Sequence, residues 1–258
     1  MKWGMSRGIK RATVYRSVAI ALVVLALELL CRAGLITHLT MPPPSEIVRD
    51  LWKILVSGSM TGAILKTLTD VVIAFAAAVF AGVGAGAVIH RWRALRDGLD
   101  PLFATYYAIP IYAFYPLFII LFGLGDTPQI LIGFMLAVVA VIVNTLNGLD
   151  RVPRALIKTA RIYRLGPIKT AARITLPFAA PYLFTGVKLA VAYSFIGVIG
   201  AEFIMSRSGL GYEINFAYNN FDNAIMYPLI LLVMLAATTV NMTLYHWEKK
   251  LLARRGRG

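Results

Sequence analysis

Cysteine is all but missing from this chain. Cys31 is the single one, which rules out an internal disulfide and a cysteine-built metal site. The histidines His38, His90 and His246 are too scattered to form a metal centre, so no metal ligands are expected. Charge is scarce too. Charged residues make up 15% of the 258 positions, against about a quarter in a soluble domain. Acids are the scarcer kind, 12 against 26 Lys and Arg, for a net charge of +14. No Gly-x-x-x-x-Gly-Lys-Ser/Thr loop occurs, so the chain does not hydrolyse ATP by the usual machinery. No paired acidic motif marks a membrane-embedded transferase, and no catalytic residue is expected. Gly82, Gly84 and Gly86 follow no strand pattern. They read as close helix contact rather than a dinucleotide fingerprint.

What is abundant is apolar. Hydrophobic residues make up 59%, and the mean hydropathy is +0.74. Such a chain has too few polar residues to cover a water-facing surface, and the same composition excludes disorder and collagen. It reads as an all-α, polytopic membrane protein. A span needs about 20 mostly apolar residues. Six segments meet this: about 14–36, 62–90, 102–124, 128–148, 175–200 and 223–246. The first is interrupted by Glu28 and Arg32, the fifth by Lys188. The runs are continuous rather than alternating, which does not support a barrel. No small-residue cleavage site follows the first run, so it reads as a retained span.

The basic residues alternate with the spans. Lys2, Arg7, Lys10, Arg11 and Arg16 precede the first; Arg91, Arg93 and Arg96 follow the second; Lys249, Lys250, Arg254, Arg255 and Arg257 follow the sixth. The loop after the fourth carries Arg151, Arg154, Lys158, Arg161, Arg164, Lys169 and Arg173. Opposite loops carry only Arg49, Lys53 and Arg207. The positive charge therefore reads as cytoplasmic loops rather than affinity for nucleic acid, and both termini are expected in the cytoplasm. The expected organisation is a tail over 1–16, a membrane domain over 17–246 and a second tail over 247–258.

Two connections are more than turns. Residues 45–57 open with Ser45 as an expected N-cap after three prolines. Ile47, Leu51, Ile54 and Leu55 then recur at helical spacing, predicting an amphipathic helix at the outer interface. The inner segment, about 149–177, interleaves its cations with Leu156, Ile157, Ala160, Ile162, Leu165, Ile168 and Ile174. That spacing predicts two short helices separated by the Gly166-Pro167 turn. A basic helix pair on the cytoplasmic face is either a docking surface or an element resting on anionic lipid.

The same segment resembles the cytoplasmic signature of ATP-binding-cassette importer permeases: Glu-Ala-Ala, three residues, Gly, then Ile-x-Leu-Pro nine residues on. Here Lys158-Thr159-Ala160 stands at Glu-Ala-Ala and Ile174-Thr175-Leu176-Pro177 at Ile-x-Leu-Pro. Pro42-Pro43-Pro44-Ser45-Glu46-Ile47, Phe122-Gly123-Leu124-Gly125-Asp126, Ala201-Glu202 and Gly209-Leu210-Gly211-Tyr212 are similar, in order and spacing, to elements of nitrate, sulfonate and taurine permeases. The departures are specific: the signature Glu is Lys158, the first Ala is Thr159 and the signature Gly is Arg164.

The resemblance implies a type I importer permease fold with a coupling helix that seats in an ATPase subunit. Lys158, Thr159, Ala160, Arg161, Tyr163, Arg164, Leu165 and Gly166 are its expected interface. It further implies a bacterial inner-membrane location, a second and identical permease chain, and an extracytoplasmic substrate-binding protein. ATP and Mg would bind the partner ATPase, with no cofactor on this chain. The implied solute is a small anion of the nitrate, sulfonate or taurine type, with a thiamine precursor or an aromatic compound as the alternative. An ion-gradient-driven secondary transporter is the rival from another class, and the nearly charge-free central spans count against it.

The remaining polar residues sort by position. Glu28 with Arg32, and Lys66 with Asp70, stand four apart and are expected to pair within their helices. Tyr107 and Tyr112 lie in an aromatic third span that Pro110 and Pro116 kink. Together with Asn144 and Lys188 they are candidates for the translocation path. Glu202 is expected to brace the outer loop, with binding-protein contact as the alternative. Arg207 and Tyr212 are further binding-protein candidates.

Overall fold

The computed structural model describes residues 3–255, with side chains from 14 to 250 except 16. The expected tail cations Lys2 and Arg257 lie outside the described residues, as do the side chains of Arg7, Lys10, Arg11, Arg16, Arg254 and Arg255. The chain is 86% helical, with no strand among the described residues. The all-α membrane fold read from composition is therefore the fold observed.

The elements run α1 (Trp3–Arg32), α2 (Pro44–Ser57), α3 (Thr61–Arg91), α4 (Arg93–Thr105), α5 (Tyr115–Phe122), α6 (Asp126–Asp150), α7 (Arg154–Ile162), α8 (Pro167–Thr170), α9 (Leu176–Met205), α10 (Leu210–Asn219) and α11 (Asn223–Arg255). Among the described residues, four helices are long and apolar enough to cross a membrane: Thr61–Arg91, Asp126–Asp150, the run Pro167–Met205 and Asn223–Lys250. The expected first span, 14–36, falls partly outside the described side chains. The expected third span is not one kinked helix but two pieces, Arg93–Ala108 and Ile111–Phe122, meeting at 90°. Pro110 causes the break. It supplies no N–H to a helix and forces the residue before it out of the helical region, and Ile109 is indeed extended at ψ 125°. Counted as one crossing, the pair makes a fifth span.

The chain divides into two compact units, Met1–Thr61 with Glu213–Val233, and Gly62–Tyr212 with Met234–Gly258. In the first, Glu28 holds the turn from α1 into α2. Its carboxylate pairs with Arg32 at 2.7 Å and accepts from the Ser45 hydroxyl at 2.6 Å and the Ser45 N–H at 2.9 Å. Ser45 is therefore not the N-cap. Pro43 stands at that position, and an acid from another helix satisfies the free amide, where a negative charge is favoured. Ile47 and Leu51 are the buried face of α2, while Val48, Trp52 and Val56 are exposed. Nearby, the Tyr227 hydroxyl donates to the Thr40 carbonyl at 2.6 Å, and the Asn223 amide donates to those of His38 and Leu39.

The second unit is organised around α6 and α9. Gly133 and Gly197 face each other so closely that a Cβ on Gly197 would collide with the Gly133 backbone. Small residues allow this approach where lipid supplies no hydrophobic drive for packing. Val71, Ala74, Val191, Phe195 and Val198 form one buried cluster, and Ala78, Ala137, Val141 and Ala190 another. Gly82 and Gly86 are the close contacts expected of α3, against Val141 and Thr145, whereas Gly84 faces open space.

Candidate functional site

The inner loop forms as its turn chemistry dictates. Pro153, extended at ψ 129°, starts α7, and Pro167 starts α8 after the Gly166 turn. The apolar side of α7 faces inward: Ala160 is 2% exposed, and Leu156, Ile157 and Leu165 are half-buried. The helix then closes in a Schellman motif. The Leu165 N–H donates to the Ala160 carbonyl at 2.9 Å and the Arg164 N–H to that of Arg161 at 3.0 Å. That motif needs a left-handed residue, and Arg164 takes it at φ 51°. The backbone requirement thus survives at the position of the family's glycine without the residue that meets it freely. For a side-chain-bearing residue the conformation costs about 1–2 kcal/mol.

Outward from this loop stand Lys158, Thr159, Arg161, Tyr163, Arg164 and Gly166, with Ile162 and Ile168 about four-fifths exposed. No acid occurs from 151 to 201, and among the described residues no ion pair reaches Lys158, Arg161 or Arg164. Beyond α8 the chain widens into a π turn over Ala171–Thr175, with the Leu176 N–H on the Ala171 carbonyl, and continues into α9. α8, the π turn and the membrane helix are one helical run, Pro167–Met205.

The end of the second unit where Lys66 lies is the opposite arrangement. A single half-buried cation, Lys66, stands at its centre. It pairs with Asp70 at 2.8 Å, Asp126 at 3.0 Å and Glu202 at 3.6 Å, and donates to the Gln129 side-chain carbonyl at 2.8 Å. Glu202 is fully buried. Its carboxylate accepts from the Thr67 hydroxyl, 2.8 Å from each oxygen, and from the Gly211 N–H at 2.9 Å. The Leu210 N–H donates in turn to the Thr67 hydroxyl oxygen at 2.8 Å. Gly209, at φ 103°, lies where any Cβ would collide with the Glu202 carboxylate. Glu202 thus braces the Gly209–Gly211 turn, as expected, and has no surface to offer a binding protein. Arg207 does: it is exposed, on the wall of a cavity of about 220 Å³ that Tyr115, Asp126, Gln129, Ser206 and Ser208 also line. Tyr212 is half-buried.

The Lys66–Asp70 pair expected from spacing is present, but its larger setting was missed. Asp126, Gln129 and Glu202 join it from other helices far along the chain. The one available signal was that polar residues punctuate the same end of three expected spans.

The path candidates separate. Tyr107 stacks on Tyr193 with centroids 5.4 Å apart, and the Tyr112 hydroxyl donates to the Ile196 carbonyl at 2.6 Å. Both aromatic contacts are with α9. Asn144 instead donates back to the Ala140 carbonyl of its own helix at 2.8 Å. Lys188 is neutralised by Glu248 at 2.6 Å and lies over the Tyr245 ring.

Comparison with known proteins adds an independent line. The family described as binding-protein-dependent transport system inner membrane component matches residues 52–257. The riboflavin transport system permease protein RibX of Chloroflexus aurantiacus is 31% identical over 205 residues, 80% of this chain and 75% of that one. The nitrate import permease protein NrtB of Synechocystis is 26% identical over 213 residues, 79% and 76% of the two chains. The bicarbonate transport system permease protein CmpB of Synechococcus elongatus is 32% identical over 168 residues, 64% and 60% of the two chains.

Proposed function

We infer a function from one premise: this chain belongs to the family of binding-protein-dependent transport system inner membrane components. It is a permease of the ATP-binding-cassette importer type. In our reading it forms the path for a small oxyanion or organic anion, handed over by a binding protein at the outer face near Arg207 and Tyr212. Two copies enclose the path, α1 serves as the first of six spans, and both termini face the cytoplasm.

The observation that carries this reading is the inner loop, a cationic helix joined through the Gly166 turn to the helical run that becomes α9. An ATPase subunit docks on Lys158–Gly166. ATP-driven movement there reaches the span through the helical run from Pro167 to Met205, so one element couples two distant sites. ATP hydrolysis falls on that separate subunit.

A gentle-detergent pull-down of the tagged chain from native membranes, followed by mass spectrometry, tests the reading. A stoichiometric partner carrying a phosphate-loop motif is expected; a well-folded chain recovered alone would overturn it. Uptake of labelled nitrate and taurine then tests the solute. A second reading, an aromatic solute, is favoured by the Tyr107–Tyr193 stack and by similarity to a riboflavin permease. Competition of uptake by a flavin but not by nitrate would select it.

A further inference from the structure

We propose that the inner loop is a cationic plug matched to an acidic groove on its ATP-hydrolysing partner, with Arg164 setting the match. This rests on the docking reading above and adds the chemistry of the partner surface.

Three observations converge. First, Arg164 occupies a left-handed position that glycine would fill freely, and a Cβ there is held against its backbone preference. The two Schellman hydrogen bonds hold that conformation, and strain of this kind clusters at ligand clamps and switch regions. Second, the loop has no internal partner for its cations: no acid lies within 151–201, and Lys158, Arg161 and Arg164 have no ion pair among the described residues. Third, the apolar side of α7 is already turned inward through Leu156, Ile157 and Ala160.

The third point decides between occupants. A helix that rests on lipid buries its apolar face in the headgroup boundary and turns its cations outward. Here Leu156, Ile157 and Ala160 are taken by the protein itself, and Ile162 and Ile168 are the aliphatics left exposed. What stands outward is Tyr163, with Ile162 and Ile168, among Lys158, Arg161 and Arg164, and aromatic beside arginine is the mixture that anchors protein interfaces. A partner without acids would strip water from these cations and return nothing. A partner with a row of Asp or Glu pairs them and steers the approach. The reversal of the family's Glu to Lys158 belongs to the same match.

The test uses the intact transporter isolated with its ATP-hydrolysing subunits. Retention of those subunits is measured against rising salt for the native chain, for Arg161→Glu with Arg164→Glu, and for Arg164→Gly. The native complex is expected to shed them as salt rises. The double reversal is expected to hold on the order of a tenth as much at low salt. Arg164→Gly, with an easier backbone, is expected to remain monodisperse yet release at lower salt than native. Retention indifferent to salt and to both substitutions overturns the acidic-groove proposal and leaves docking intact. A native preparation without any ATPase overturns the docking reading instead. If reversal weakens only adsorption to vesicles containing phosphatidylglycerol, lipid is the occupant and the proposal falls.

Discussion

The inner loop and the outer cluster solve opposite electrostatic problems. Outside, one ammonium, Lys66, answers three carboxylates, two of them buried, and Gln129, Thr67 and two backbone amides complete the set. In the loop, a run of cations has no ion pair among the described residues. A charge satisfied at home rigidifies the fold. A charge left unanswered at a strained, exposed turn is open to a partner molecule, as proposed above. The contrast separates stability from assembly, and substitutions in the two regions should differ accordingly.

The largest effect on stability is expected at Glu202. Glu202→Ala leaves Thr67, Gly211 N–H and part of Lys66 without a partner in a buried site. A loss of about 3–5 kcal/mol follows, read as a lower midpoint of thermal unfolding in detergent. An unchanged midpoint would mean that the cluster does not hold the outer turn. Gly209→Ala tests the same turn through the backbone, where φ 103° and the nearby carboxylate both oppose a side chain. A loss of about 2 kcal/mol is expected in the same assay.

The inner loop should behave in reverse. Arg164→Gly relieves the left-handed residue and is expected to raise the unfolding midpoint, by the equivalent of about 1 kcal/mol. A lower midpoint would show that the arginine side chain stabilises its own chain. Lys158→Glu is expected to move stability by about 0.5 kcal/mol or less, as at an ordinary surface site. It should nonetheless reduce the yield of assembled transporter in a co-purification. Equal yields for the native chain and the Lys158→Glu variant would erase the distinction between the two regions.

The two regions also differ in how far they could be read beforehand. The loop's first helix and its Gly166-Pro167 turn follow from spacing over a few turns of chain and are present; the second helix is not a short one but runs on into α9, and Ile162 and Ile168 stand exposed. The outer cluster could not be read this way. Lys66 and Asp70 are neighbours on one helix, but Glu202 reaches them only because α3 and α9 lie side by side. The break at Pro110 was legible as a kink and not as a right angle. How far a proline bend opens depends on what the two pieces pack against. Ser45 was misread for a related reason: the local cap rule was overridden by a carboxylate from the preceding helix.

Composition, hydropathy and turn residues by themselves determined that this is a helical membrane protein with a structured basic loop, and the ordered motifs determined its family. Each of those properties is local or additive along the chain. Tertiary structure alone decided which groups Glu202 meets, that Lys188 is neutralised by Glu248, and that Arg164 stands in a left-handed turn. Buried polar groups must find partners wherever the packing of helices puts them, and no spacing rule along one helix names a partner on another.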